Sequence, residues 1–266
     1  MDLGLRQRAC IITGASGGIG QATAVVLAGE GASLLLTGRR EEKLAEVAAA
    51  CREAGGQAET LVLDVTSPDA AERLLEACLA RFDRLDALVN NAGTSAIRSV
   101  DELTDADWQD QWELNVMAPM RLMRAMAPVM AARGWGRIVN VSSSAGKRPS
   151  ASIDMAYSVT KAAELSLSRA FADLFAGRGV LVNAVAPGPI ADELWLAPGG
   201  MADQAAAAQG ISREEVLKAT AKRPPRGQMG SPEEIAAVIA FLCSEAAANV
   251  AGAAWGADGG TVPVII

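Results

Sequence analysis

A single tyrosine and a lysine four residues after it are the candidates for chemistry in this chain. Tyr157 is the only tyrosine among 266 residues, and the chain contains no histidine. Both lie in an alanine- and leucine-rich segment, Met155 to about Phe175, that is predicted to be helical. A spacing of four places Tyr157 and Lys161 on one face, one turn apart. An ammonium within reach favours a phenolate, which makes Tyr157 a candidate general acid or base. The same spacing also fits an ordinary tyrosine beside a solvated lysine.

Composition excludes several classes of protein. The 31 acidic and 24 basic residues give a net charge of −7, which argues against nucleic acid and anionic membranes as partners. The four cysteines are scattered and histidine is absent, so no metal is expected and a zinc-dependent dehydrogenase is excluded. Unpaired cysteines suit a reducing compartment, and the start of the chain lacks the apolar core of a signal peptide. We therefore expect a cytoplasmic protein with one domain over residues 1–266.

A glycine-rich turn follows the first predicted strand. The apolar run of residues 8–13 predicts a buried strand, and residues 21–29 predict the helix after the turn. Between them the pattern G-x-x-x-G-x-G runs from Gly14 to Gly20. A turn of this kind lets the backbone approach a pyrophosphate at the helix N-terminus. The spacing predicts a dinucleotide site, with a plain tight turn as the alternative.

Two arginines follow the second predicted strand, residues 33–37. An acidic residue at this place usually binds the ribose of NAD, whereas arginine accommodates the 2′-phosphate of NADP. Here Gly38 occupies the expected acidic position, and Arg39 and Arg40 come next. Cations at the start of a helix interact unfavourably with the helix macrodipole, and a bound anion would offset that repulsion. The pattern favours NADP(H) over NAD(H), and the alternative is a solvated pair neutralised by the two glutamates that follow.

Strands and helices alternate along the rest of the chain. We predict further strands at residues 59–65, 85–89, 137–142, 180–186 and 253–255. Unbroken alternation predicts an α/β fold, a Rossmann-like doubly wound three-layer sandwich with a parallel sheet of about seven strands. Asp64, at the end of the third strand, is expected to hydrogen-bond an adenine or to cap the helix that begins near Pro68.

A long helical stretch, residues 104–133, is predicted to break or bend around Pro119 and Pro128. It carries a stripe of methionines at spacings of three and four, which is typical of core or subunit packing. Asn115 is a polar residue inside this apolar stretch, and a buried amide must find partners. We therefore expect Asn115 in a structural network or in a water relay.

The last third of the chain contains the segment predicted to cover the substrate. Residues 192–226 are predicted to be irregular apart from a short helix from Ser212, and a long segment over a sheet end is typical of a lid. Ser231 precedes Pro232 and is predicted to cap the last helix. The apolar tail, residues 262–266, is expected at a contact between subunits.

Together these motifs resemble the short-chain dehydrogenase/reductase family, in its single-domain branch and with a pattern similar to that of 3-oxoacyl thioester reductases. The resemblance covers nearly the whole chain and rests on the glycine turn, Asn90-Asn91-Ala92-Gly93, Asn115, the serines 142–144, Tyr157-x-x-x-Lys161 and Pro187-Gly188. It implies that a nicotinamide dinucleotide contacts Gly14, Ser16, Gly18, Ile19, Gly20, Arg39, Arg40, Asp64, Val65, Asn91, Ala92, Gly93, Tyr157, Lys161, Pro187, Gly188 and Ile190.

The resemblance also implies a role for each catalytic residue. Tyr157 exchanges a proton with the carbonyl or hydroxyl oxygen of the substrate, and Lys161 acidifies Tyr157 and binds the nicotinamide ribose. Asn115 holds a water that relays protons to Lys161. Ser143 hydrogen-bonds the substrate oxygen, where charge develops. Ser144 is the second candidate for that role, because the loop to Tyr157 is one residue longer than in many members.

Two positions depart from the family pattern. Gly17 stands where many NADP-binding members have arginine or lysine, so the preference for NADP rests on Arg39 and Arg40. Asp192 stands where members often have a threonine beside the nicotinamide carboxamide. An ionised carboxylate there would favour the positively charged, oxidised ring, and hence alcohol oxidation.

The expected function is NADP(H)-dependent interconversion of a carbonyl and a secondary alcohol, of the 3-oxoacyl reductase or general carbonyl reductase type. The alternative within the enzymes is an NAD-dependent dehydrogenase of a sugar, polyol or cyclic alcohol. The alternative outside them is a dinucleotide-sensing regulator without activity, although such proteins tend to lose the tyrosine or the lysine. Because the family is usually tetrameric, we expect a homotetramer or dimer through residues 104–133 and 155–178, and a small-molecule substrate as the other partner.

Overall fold

Seven parallel strands form one sheet in the computed structural model, which describes residues 2–150 and 153–263. The strands are β1 Ala9–Thr13, β2 Ser33–Gly38, β3 Gln57–Val62, β4 Ala87–Asn90, β5 Gly136–Val141, β6 Val180–Pro187 and β7 Ala254–Ala257. They are hydrogen-bonded in the order β3-β2-β1-β4-β5-β6-β7, and every neighbouring pair is parallel. The strand order reverses between β1 and β4, which is where ligands bind in doubly wound sheets.

Helices connect these strands along the described parts of the chain. They are α1 Gly18–Gly29, α2 Glu41–Glu53, α3 Ala70–Phe82, α4 Asp105–Trp112, α5 Ala118–Ala132, α6 Ser144–Lys147, α7 Met155–Phe175, α8 Glu193–Leu196, α9 Met201–Gln209, α10 Arg213–Ala221 and α11 Pro232–Cys243, with a π-helical turn at Glu113–Met117 and short 3-10 turns at Val100–Glu102, Ala176–Arg178 and Glu245–Ala247. Ser231 caps α11, as predicted: its hydroxyl accepts from the N–H of Glu234, and Pro232 stands at the first turn.

Alternate residues of each strand face opposite sides of the sheet, and helices cover both sides. In β1, Cys10 and Ile12 belong to the core cluster that includes the apolar faces of α1, α2 and α11. Ala9 and Ile11 belong to the cluster that includes α3, α5 and α7. A strand buried on both faces is apolar throughout, which is why these runs are continuous in the sequence. The predicted three-layer, Rossmann-like fold with a seven-stranded parallel sheet is confirmed.

The prediction for the third strand was wrong at its end. β3 stops at Val62, and Asp64 lies in the turn beyond it, where its Oδ1 accepts from the N–H (2.9 Å) and the hydroxyl (2.7 Å) of Thr66. Asp69 is the residue that precedes α3, so Asp64 does not cap that helix. A side chain bonded to its own backbone two residues on makes an Asx turn, which competes with extension of the strand.

The long helical stretch is interrupted at a different place from the one predicted. α4 passes into the π-helical turn Glu113–Met117, and α5 begins after it. Pro119 stands in the first turn of α5, where its missing N–H leaves no bond unmade, and Pro128 lies inside α5. The π-helical turn carries Asn115 and buries it completely.

Residues 192–226 are more helical than predicted, because α8, α9 and α10 all fall within them. Trp195, Met201 and Val216 pack together in a small apolar cluster apart from the two main ones. Ser212 begins α10 with a capping box, in agreement with the prediction of a helix at that residue. Three short helices folded on their own cluster replace the predicted irregular segment.

The apolar tail was expected at a subunit contact, and its residues 264–266 lie outside the described part of the chain. Within residues 2–150 and 153–263, no helix combines the length and the hydropathy that a membrane span needs. In the same residues no group of three or more histidine, cysteine or acidic side chains could hold a metal ion.

Candidate active site

A cleft of about 1630 Å³ lies along the edge of the sheet where the strands end. Each of the first six strands contributes the residues that follow its carboxyl end, from Gly14 after β1 to Gly188 at the end of β6. The volume exceeds the usual range for a site that holds one small ligand. Of the residues predicted to contact a cofactor, all line the cleft except Gly20; of the predicted catalytic residues, all line it except Asn115.

The glycine turn is fixed from below by the segment that follows β4. The Asn91 side-chain amide donates to the carbonyls of Thr13 (3.0 Å) and Gly14 (3.1 Å), and the Thr13 hydroxyl accepts from the N–H groups of Asn91 and Ala92 (both 3.0 Å). Gly20 lies against these groups: a Cβ there would be 2.3 Å from the Gly14 oxygen and 2.5 Å from the Asn91 amide nitrogen. Gly20 therefore shapes the turn without lining the cleft.

Arg40 closes over the glycine turn. Its guanidinium donates to the carbonyl (2.9 Å) and the hydroxyl (3.3 Å) of Ser16, and pairs with Glu193 at 2.9 Å. The acidic partner thus comes from α8 and not from the glutamates that follow Arg40 in the sequence. Arg39 is exposed and lines the cleft next to Asp64. A hydrogen bond from the Thr66 N–H holds the pKa of Asp64 below its usual value.

Asp192 lies against the glycine turn. A Cβ on Gly18 would be 2.8 Å from the Asp192 Oδ2, and Oδ1 accepts from the N–H of Leu194 at 3.1 Å as the cap of α8. Burial raises the pKa of Asp192, although hydrogen bonds from backbone N–H groups such as that of Leu194 oppose the change. The carboxylate faces the N-terminal end of α1, where a pyrophosphate would sit. Its predicted preference for the oxidised ring stays a prediction.

Helix α7 presents Tyr157 and Lys161 to the cleft. Asp154 caps the helix by accepting from the Tyr157 N–H at 3.2 Å, so Tyr157 stands in the first turn. Tyr157 is half-buried and lines the cleft, whereas Lys161 is buried to 2 % exposure. The Lys161 Nζ lies 6.0 Å from the centre of the Tyr157 ring and donates to the Val141 carbonyl at 2.8 Å. The end of β5 therefore fixes the ammonium next to the phenol.

The three serines after β5 have different surroundings. The Ser142 hydroxyl is buried and donates to the backbone carbonyl of Lys161 at 2.8 Å, so it joins β5 to α7. Ser143 caps α6 by accepting from the Ala145 N–H at 3.1 Å, and its own O–H remains available. Ser143 and Ser144 both line the cleft and are both partly exposed. Either one can reach a ligand there.

Asn115 lies behind the cleft, fully buried. Its amide nitrogen donates to Gln111 Oε1 (2.7 Å) and to the Thr160 hydroxyl (3.0 Å). Its Oδ1 has no hydrogen-bond partner among the described residues. A Cβ placed on Gly93 would be 3.6 Å from both this oxygen and the Lys161 Nζ, so Gly93 stands between them. A buried acceptor without a partner beside an ammonium is the kind of place that an ordered water fills.

One buried charge next to Tyr157 and Lys161 was not predicted from the sequence. Glu164 is 1 % exposed, and its Oε2 accepts from the Lys161 Nζ at 2.9 Å. The sequence did carry a signal for Glu164: it comes seven residues after Tyr157, so it lies on the same face of the helix, one turn beyond Lys161. An acidic residue on the face that carries a buried lysine is the expected counter-charge, but its burial became apparent only in the folded structure.

The fold and the cleft define a class of protein. A family model for the short chain dehydrogenases matches residues 8–196, and the chain belongs to this short-chain dehydrogenase/reductase family. It is an oxidoreductase of the kind that uses NAD(P). The resemblance that the motifs indicated is therefore confirmed at the level of the family.

Particular members of the family resemble the chain over nearly its whole length. It is 38% identical over 259 residues to a cis-4-hydroxycyclohexanecarboxylate dehydrogenase of Sinomonas cyclohexanicum, a match that covers 97% of this chain and 98% of that one. It is 31% identical over 262 residues to a 3-oxoacyl-[acyl-carrier-protein] reductase of Thermotoga maritima, over 97% and 99% of the two chains. Among solved structures, the L-sorbose reductase of Gluconobacter frateurii in complex with NADPH and L-sorbose has a TM-score of 0.92 and 35% identity over 100% of both chains.

Replacing Gly20 by alanine tests whether the glycine turn holds the dinucleotide. The new Cβ collides with backbone at Gly14, so the turn must open, and the dissociation constant for NADP(H) is expected to rise about tenfold or more. Gly29→Ala is the matched control, because the same helix offers a Cβ there open space. Titration of each variant with reduced cofactor, followed by fluorescence, measures the two dissociation constants.

Gly29→Ala is expected to keep its affinity for the cofactor and to gain up to about 1 kcal/mol of stability, since alanine is the better helix former. Equal affinities in the two variants, with Gly20→Ala folded, would contradict the account of the turn.

Proposed function

We propose that this chain is an NADP(H)-dependent enzyme that interconverts a carbonyl and a secondary alcohol. The observation that carries the proposal is the position of the only tyrosine: it opens onto the same cleft as the glycine turn, with a buried ammonium one helical turn behind it. A phenol beside an ammonium is suited to exchange a proton with a substrate oxygen. The chain over residues 1–266 then acts as one catalytic domain.

The cleft suits a nicotinamide dinucleotide because glycine backbone and a helix N-terminus meet at its floor. Gly14 adopts a φ of 63°, and Gly18 begins α1, whose first N–H groups point towards the cleft. The residues proposed to hold the dinucleotide are those given above, with Gly20 acting from beneath the turn. When bound, the cofactor supplies or accepts the hydride.

Four side chains are proposed to carry out the proton chemistry. The Tyr157 hydroxyl gives its proton to the carbonyl oxygen, or takes the hydroxyl proton in the reverse direction. The O–H of Ser143, or of Ser144 in its place, donates to that oxygen and stabilises the negative charge that develops there. Lys161 favours the phenolate and binds the nicotinamide ribose. The unpartnered Oδ1 of Asn115 supports its proposed role as the acceptor for a relay water.

The preference for NADP(H) over NAD(H) is supported by the charges after β2. In NAD-binding members an acidic residue at this place binds the adenosine ribose. Here that position is Gly38, which has no carboxylate, and Arg39 and Arg40 line the cleft beside it. Three related structures, those of an L-sorbose reductase, a gluconate 5-dehydrogenase and a 3-oxoacyl reductase, contain NADP or NADPH. A 2′-phosphate beside Arg40 would compete with Glu193 for the guanidinium.

The proposed substrate is a small carbonyl compound or alcohol, covered by residues 192–226. Trp195 and Met201 line the cleft from this segment, so part of the substrate pocket is apolar. A 3-oxoacyl thioester or a general ketone is the leading class, in keeping with the relative from Thermotoga maritima. The second candidate is a cyclic alcohol, sugar or polyol with NAD as acceptor, favoured by the relative that oxidises a hydroxycyclohexane carboxylate.

A homotetramer or dimer in the cytoplasm is the proposed state of the protein. Met155, Val159 and Leu174 are exposed apolar residues on α7, and Trp112 is another at the end of α4. Apolar side chains on these helices favour helix-to-helix contact between copies. The four cysteines are free and buried, which agrees with a reducing compartment. A dinucleotide sensor without activity is disfavoured, because both Tyr157 and Lys161 are present.

Tyr157→Phe tests the reaction. The wild type is expected to turn over members of a panel of 3-oxoacyl thioesters, ketones, sugars and cyclic alcohols, followed by the absorbance of reduced cofactor with NADP and NAD. The variant should lose about two to four orders of magnitude in kcat, because the proton donor is gone, and keep its affinity for the cofactor. Trp255→Phe, which changes an aromatic residue outside the cleft, should keep full activity.

A Tyr157→Phe variant that retained the wild-type rate would contradict the proposed chemistry. A wild type that bound the cofactor but turned over nothing in the panel would favour the sensor.

The double variant Arg39→Ala/Arg40→Ala tests the choice of cofactor. Loss of two charge-assisted contacts to the 2′-phosphate should raise the KM for NADP(H) by about 10- to 100-fold and leave that for NAD(H) within about threefold. Arg73→Ala, which removes an exposed guanidinium on α3, should change neither. A loss of equal size for both cofactors, or no loss, would contradict the assignment.

A further inference from the structure

Helix α7 carries three chemically active side chains in one row. Tyr157, Lys161 and Glu164 stand at positions i, i+4 and i+7, so they share a face. The Glu164 side chain is 1 % exposed and that of Lys161 3 %, and their charged atoms are 2.9 Å apart. A carboxylate buried to this extent is costly unless it is paired and hydrogen-bonded. Lys161 and Glu164 therefore compensate each other's buried charge.

The Lys161 ammonium donates to two buried acceptors. Of its three N–H donors, one goes to the Val141 carbonyl (2.8 Å) and one to the Glu164 carboxylate (2.9 Å). The third has no acceptor among the described residues. A Cβ placed on Gly93, which lines the cleft, would be 3.6 Å from the Lys161 Nζ. Glu164 thus orients the ammonium from behind without occupying the donor that a ligand needs.

The polar side chains that bond to α7 beside this row are neutral. Asn115 from the π-helical turn bonds to α7 at Thr160, and Asn140 from β5 bonds to α7 at Ser168. Ser168 in turn donates to the backbone carbonyl of Glu164 (2.7 Å). Burial raises the pKa of Glu164 to about 7, and the ammonium of Lys161 is the charge that works against it. Lys161 and Glu164 are therefore a buried charged pair on the side of α7 that carries Tyr157.

We propose that Glu164 is the counter-ion of Lys161 and a positioning residue of the site, which sets the pH range in which the Tyr157 hydroxyl exchanges its proton. Glu164 stands about one turn further along α7 from Tyr157 than Lys161 does, so its charge is expected to cancel part of the ammonium's field at the phenol and not all of it. The proposal rests on the proton-transfer role proposed for Tyr157, and its test needs no turnover.

The chain offers a direct measurement, because Tyr157 is its only tyrosine. The near-ultraviolet absorbance of phenolate, followed while the pH is raised, reports this one hydroxyl, and Tyr157→Phe provides the blank. Glu164→Gln keeps the shape and an acceptor oxygen but removes the charge. The midpoint of the phenolate signal is expected to fall by about one pH unit in Glu164→Gln, because the ammonium is no longer compensated.

Three further variants keep the test decisive. Glu164→Met fills the same volume without charge or acceptor, and should lower the midpoint as Glu164→Gln does, so a folding defect in either one leaves the other. Glu164→Asp keeps the charge and should restore a midpoint near that of the wild type. Asp173→Asn removes an exposed carboxylate from the far end of α7, where it pairs with Arg169, and should shift nothing.

An unchanged midpoint in folded Glu164→Gln or Glu164→Met would overturn the proposal, and so would a midpoint that moved to higher pH. Neither outcome would contradict the proposed function, which is tested separately by the turnover of Tyr157→Phe. The pH dependence of kcat/KM for alcohol oxidation should move with the phenolate midpoint, whereas a role confined to packing would lower stability and leave both profiles in place.

Discussion

The burial of one ammonium group, that of Lys161, is the constraint on which the rest of the site depends. A lysine this deep in the protein needs partners for its donors, and the structure bonds two of the three, to the Val141 carbonyl at the end of β5 and to Glu164. Glu164 belongs to α7 itself, whereas the bond to Val141 requires α7 to be docked on the sheet. The same docking brings Tyr157 to the cleft, so the packing of α7 on the sheet also positions the phenol.

A second constraint comes from the parallel sheet itself. Parallel strands end at a common edge, so the loops after β1, β2, β4, β5 and β6 are neighbours although they are far apart in sequence. The bonds between Asn91 and the turn at Thr13 and Gly14 show how closely two of these loops depend on each other. The glycine turn of the first loop and the serines and tyrosine supplied by the later ones therefore line one cleft.

The sequence alone predicted the sheet and most of the cleft, because buried parallel strands are apolar throughout and the glycine turn has a fixed spacing. It did not predict contacts between distant residues, such as the pair of Arg40 with Glu193. The π-helical turn at Asn115 was missed since its geometry is decided by packing and not by local propensity. Glu164 was missed for a related reason: an acidic residue in a helix is usually solvated, and only the docked helix reveals that it is buried.

The central claim, that the ammonium makes the phenol acidic, is tested most directly by titrating the only tyrosine in Lys161→Met beside the wild type. Removal of a positive charge one helical turn away leaves the phenolate without its stabilising neighbour. The phenolate absorbance of Lys161→Met is expected to appear at a distinctly higher pH than in the wild type. If the two proteins, both folded, titrate at the same pH, Lys161 does not act on Tyr157 and the account of the site is wrong.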